Sequence, residues 1–123
     1  MRWMEHMPED RRGWAGMSLD FHLEAVRVTT VYSGNITHNL RQMASEAGVY
    51  DVLWKPHEHG YTKAGQIIPI LRDGVKLLES NPKRFKKFDS PNGWGLYVHF
   101  VPFVKGVLAA CEENPDADIV VTP

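Results

Sequence analysis

The sequence predicts an α+β fold: a mainly helical single domain with a small sheet formed by the N-terminal and C-terminal strands. Three observations predict it. Leu19, Phe21 and Leu23 alternate with Asp20, His22 and Glu24, the period of a half-buried strand. Ile119, Val120 and Val121 form a β-branched run near the other end, and everything between carries helical spacing. Neither the strand that ends near Tyr32 nor the Ile119–Val121 run has another partner in the chain, so the two are expected to pair with each other. A two-stranded ribbon is marginal alone, which requires the helices to cover one of its faces.

The elements follow in order. Residues 1–16 mix Trp3 and Trp14 with Glu9-Asp10-Arg11-Arg12 and hold no consistent period, so they read as a variable or disordered extension, with the domain occupying residues 17–123. The alternation that starts at Leu19 changes parity at Ala25-Val26, after which Val26, Val28 and Tyr32 share a face. That pattern requires a bulge near Ala25 or two consecutive strands joined by a bend. Ser33-Gly34-Asn35 is expected to end the strand. Leu40, Met43, Ala44 and Ala47 then recur at i, i+3, i+4 and i+7, with Asn35 or Thr37 placed to cap the helix and Gly48 to terminate it. Val49, Val52 and Leu53 allow a further turn or two, closed by Trp54-Lys55-Pro56.

Thr62 is expected to cap a long helix whose stripe is Ala64, Ile67, Ile68, Leu71, Val75 and Leu78. Pro69 interrupts that stripe and, having no N–H, leaves the Gly65 carbonyl without its helical donor, so the helix is either kinked there or begins near Gln66. Asn81-Pro82 opens a short helix with Phe85 and Phe88 inward. Tyr97, Phe100, Val101, Val104, Leu108 and Cys111 mark the last helix, ended by Asn114-Pro115.

Composition excludes several function classes. In 123 residues, 43% hydrophobic and 24% charged, a formal net charge of -1 supplies no global field for nucleic acid or an anionic membrane. The single cysteine excludes an internal disulfide and a Cys-rich zinc site, and suits the reducing cytoplasm where the protein is expected to reside. No apolar run approaches the roughly 18 residues of a membrane span.

Tyr32-Ser-Gly-Asn-Ile-Thr-His-Asn-Leu, Met43 and Ala47-Gly48, Pro91-Asn-Gly-Trp-Gly-x-Tyr97, Ala110-Cys111 and Asn114-Pro-Asp-Ala-Asp118 together resemble a group of small uncharacterised proteins from bacteriophage and bacterial genomes. The resemblance spans about residues 32–122 and implies a phage or prophage context. It carries no assigned activity. Residues 1–16 fall outside it, and His57 and His59 are not part of its pattern.

The candidate site is built from two Asn-rich motifs, Asn35-Ile-Thr-His-Asn39 and Pro91-Asn-Gly-Trp-Gly95, each ahead of an amphipathic helix. Asn35, Thr37, His38 and Asn39 are expected at a helix N-terminus, where free N–H groups attract polar or anionic groups. Asn92 and Trp94 would complete a pocket, with the indole as a stacking surface and Asn amides reading a base edge or another amide. The structural alternative assigns the same residues to caps, a turn and a core plug. His57-Glu58-His59 has a suggestive spacing, but a metal site needs a further ligand and the helical zinc motifs are absent. Lys83-Arg84-Phe85-Lys86-Lys87-Phe88 reads as a solvated basic face over two inward Phe rather than a nucleic-acid surface. Cys111 lies on an apolar stripe, where a thiol is inert. The expectation is therefore a binding protein without cofactor, metal or catalytic residues, whose partner is a small polar or nucleotide-like ligand. The alternatives are a protein-interaction module, including a homodimer that continues the sheet, and a His-based metal-dependent enzyme.

Overall fold

The computed structural model describes residues 18–25 and 30–122. The expected extension at residues 1–16 and the bend at Val26 and Val28 lie outside them. Strands β1 (Ser18–Glu24) and β2 (Thr30–Thr37) are antiparallel neighbours, so the change of parity separates two strands. A 3-10 turn (His38–Leu40) leads into α1 (Arg41–Glu46), followed by α2 (Tyr50–Trp54), a second 3-10 turn (Pro56–His59), α3 (Ala64–Ser80), α4 (Pro82–Lys86), α5 (Tyr97–Glu113) and β3 (Asp118–Thr122). The fold is α+β, and the helices cover one face of a three-stranded antiparallel sheet of order β2-β1-β3.

The N-terminal and C-terminal strands share one sheet, but the strand that ends near Tyr32 does not pair with Ile119–Val121, because the first segment forms a strand of its own between them and the sheet has three strands. Leu23 pairs with Ile119 and Phe21 with Val121, so β3 joins β1, while the segment around Tyr32 lies on the opposite side of β1. Leu19, Phe21, Leu23 and Ile119 are buried on the helix side, with Tyr32 and Ile36 packed against them. Ser33-Gly34-Asn35 does not end the strand. It runs through as part of β2, because Gly34 sits where a Cβ would lie 2.9 Å from the Tyr32 hydroxyl and 3.1 Å from the Phe103 ring, so a turn-forming residue is used here for close packing.

The helices α3 and α5 form the main helical contact and bury Ile67, Leu71, Leu78, Phe100, Val104 and Cys111 between themselves and the sheet. The cap of α3 is Lys63 rather than Thr62. Gln66 Oε1 accepts from the backbone N–H groups of both Thr62 and Lys63, at 2.7 and 2.9 Å. The first N–H groups of α3 donate to Ala117 and Pro115 carbonyls, which stitches the helix start to the segment between α5 and β3. Pro69 lies inside α3 and Pro102 inside α5, both on exposed faces where the lost backbone donor costs least. Asn81 caps backwards: its Nδ2 donates to the Leu77 carbonyl at 3.0 Å and closes α3 rather than opening α4. Phe85 is fully buried and Phe88 half-buried.

Candidate functional site

The loop between α4 and α5 is held by its own polar side chains. Asn92 Oδ1 accepts from the Trp94 N–H at 2.9 Å and from the Ser90 hydroxyl at 2.5 Å, an Asx turn closed by Ser90 N–H on the Gly95 carbonyl at 3.0 Å. Asn39, leaving the end of β2, donates Nδ2 to the Trp94 carbonyl at 2.8 Å. Gly95, buried and at φ +117, brings the loop against Asn39 and Leu40, so closely that a Cβ would lie 2.9 Å from Asn39 Cβ. Asp89 Oδ1 accepts the Tyr97 N–H at 2.6 Å, and its charge also suits the positive start of α5. The two Asn-rich motifs thus meet. Trp94 does not plug the core: it is 63% exposed on this braced loop.

The remaining site residues are placed elsewhere. Asn35 is in β2, across from Asp20, and its Nδ2 donates to Asp20 Oδ1 at 2.7 Å and Ser18 Oγ at 3.0 Å. It satisfies a buried carboxylate instead of lining a helix N-terminus, so Asn35, Asn39 and Trp94 do not converge on one cleft. Thr37 does cap, accepting the Asn39 N–H at 3.3 Å, but for the 3-10 turn rather than for α1. His38 turns inward. Its Nδ1 receives the Trp54 indole N–H at 2.8 Å, which leaves the proton on Nε2, and burial reinforced by Arg41 holds the imidazole below its ordinary pKa.

The other constellations resolve into structure. His57 Nε2 meets the Ile119 carbonyl at 2.9 Å, while His59 lies 3.5 Å from Asp51. Among the described residues no three His, Cys, Asp or Glu side chains are grouped as metal ligands, so the association with His38 or His99 that a metalloenzyme needs is not formed there. In the basic run, Arg84 pairs with Glu46 and lies 5.2 Å from the Phe85 ring, and Lys86 lies 5.7 Å from the Tyr97 ring. Cys111 is fully buried and its thiol is pushed up to about 12 by desolvation and by Glu112, which removes the thiolate needed for nucleophilic chemistry. No helix among the described residues is long and apolar enough to cross a membrane.

Two features escape sequence reasoning. Val98, 56% exposed, stands four residues beyond Trp94; its signal was an apolar residue off the buried stripe of α5. A shallow, open depression of about 220 Å³ lies between α1 and the start of α2, lined by Arg41, Gln42, Ser45 and Tyr50, and no motif marked it. Compared with known proteins, the chain matches no family model, no curated protein and no solved structure.

Proposed function

We propose that this protein is a non-enzymatic binding module that engages a protein partner through Trp94 and the adjacent exposed start of α5. The observation that carries this reading is the preorganisation of Trp94: a large apolar side chain is exposed on a loop fixed by Asn39, Ser90, Asn92 and Gly95. A loop whose backbone is already held loses little backbone freedom on binding, and tryptophan is the residue type most enriched among interface anchors. Val98, exposed four residues further on, offers a second apolar side chain, and Pro102, one turn on, withdraws the regular helical donor from the Val98 carbonyl, leaving an acceptor beside it. The resemblance to small phage and bacterial proteins supports a phage or prophage setting, and the single reduced cysteine supports the cytoplasm.

The test is photo-crosslinking from a reactive group placed at position 98 in host lysate, followed by affinity measurement with the purified partner. Trp94→Ala is expected to weaken binding by about 2 kcal/mol or more, as for an interface anchor, with little change in melting temperature. A partner that binds Trp94→Ala and the native protein equally would overturn the reading.

The exposed indole also favours a second reading, in which Trp94 stacks on a nucleobase-like ring and the Asn92 amide N–H groups contact its polar edge. Quenching of fluorescence by mononucleotides in the native protein, absent in Trp94→Phe, would select it. No quenching at millimolar nucleotide would exclude it.

A further inference from the structure

The two edges of the sheet are treated differently. Beyond β3, the chain between the second 3-10 turn and α3 covers the edge: Ile119 N–H donates to the Thr62 carbonyl at 2.9 Å, and Lys63 bridges Asp118 in both backbone and side chain. Beyond β2, no further strand lies among the described residues. Alternate residues of an edge strand direct both N–H and C=O outward, and proteins ordinarily protect such edges with lysine, proline, a bulge or a covering segment. The eight residues of β2 contain no charge and no proline. Its one irregularity places Val31 in excess between the Leu23–Tyr32 and Glu24–Thr30 pairs, which leaves Tyr32–Thr37 in unbroken register.

We propose that the β2 edge is a self-association surface and that a second copy of this chain pairs with it antiparallel about a two-fold axis. A strand without charge meets its own copy without like-charge repulsion, and an antiparallel edge is self-complementary in its backbone donors and acceptors. Centring the axis on Gly34 uses the regular stretch fully. Tyr32 then faces the second copy's Ile36, an aromatic and β-branched pair on the helix side, and Ser33 faces its Asn35, a polar pair on the opposite face. Gly34 faces itself where neither copy has a side chain to clash. The result is a continuous six-stranded sheet with a helical layer on one face. This surface is independent of the Trp94 loop, so the two can fail separately.

Sedimentation velocity over a concentration series, with amide exchange of β2 at the two extremes, tests the proposal. A monomer–dimer equilibrium is expected, with the outward amides of Ser33 and Asn35 protected at high concentration and released on dilution, while those of Tyr32, Gly34 and Ile36 face β1 and stay protected throughout. Ser33 is exposed, so Ser33→Lys and Ser33→Glu should each keep the monomer folded while weakening the dimer about fivefold, because the two substituted residues sit diagonally across the axis. Mixing the two variants should restore a heterodimer, a readout that a folding defect would not produce. The proposal is overturned if the native chain is monomeric up to about 1 mM, if the dimer ignores both charges, or if β2 exchange is independent of concentration.

Discussion

The indole N–H of Trp54 can only donate, so the His38 Nδ1 that receives it must stay unprotonated. Burial and Arg41 place the folded pKa of His38 below its ordinary 6.5, so the native state binds fewer protons than the unfolded chain. The contribution is complete above about pH 6.5 and is lost as pH falls from there through the folded value. Urea melts at pH 7.5 and 5 should show the lower stability at pH 5. His38→Ala should cost about 1–3 kcal/mol, because a mostly buried Trp54 N–H loses its partner, and should flatten this part of the pH profile. Two glycines of one loop make a second contrast. Gly95→Ala combines a positive φ with a contact too short for any Cβ, whereas Gly93 has a positive φ and open space. Chemical denaturation should rank Gly95→Ala well above Gly93→Ala, the latter near the 1–2 kcal/mol of left-handed strain alone.

At the scale of elements, α3 packs its middle so closely on the turn after α1 that a Cβ at Gly74 would lie 2.3 Å from Val49 Cγ1. Gly74→Ala should therefore destabilise the protein although alanine is the better helix former by about 1 kcal/mol, and a higher melting temperature would contradict the close approach. Replacing Asn39 with Ala releases the Trp94 loop from the end of β2; hydrogen exchange in residues 90–95 should rise, with about 0.5–2 kcal/mol lost overall. The same packing explains which elements were legible in the sequence. Helical stripes and the alternation at Leu19 come from burial of one face, and they placed every long helix and both end strands. Ser33-Gly34-Asn35 reads as a turn by local propensity alone, while the reason for Gly34 is a neighbour on α5 about seventy residues away. Asn35 looks like a site residue for the same reason: its partner Asp20 lies across a strand pair whose register no local pattern reveals. The meeting of Asn39 with the Trp94 loop, in contrast, was anticipated from two polar motifs too elaborate for plain turns.

For the whole molecule, the surface ion pairs Arg72–Glu112 and Lys105–Glu79 link α3 to α5 but are about half-exposed, so neutralising either should change stability by less than about 1 kcal/mol. Deleting residues 118–123 should be far more damaging. It removes the fully buried Ile119, uncovers Leu23 and Phe21 along one side of β1, and strips the Thr62 carbonyl of its donor; circular dichroism is expected to show loss of cooperative unfolding. Because β1 is the central strand and β3 its second neighbour, the sheet cannot be completed until the ribosome has delivered every helix and then β3. A nascent chain stalled after α5 would present one side of β1 to solvent, chaperones and other nascent chains, so a pause before the codons of β3 lengthens its exposure to misassembly.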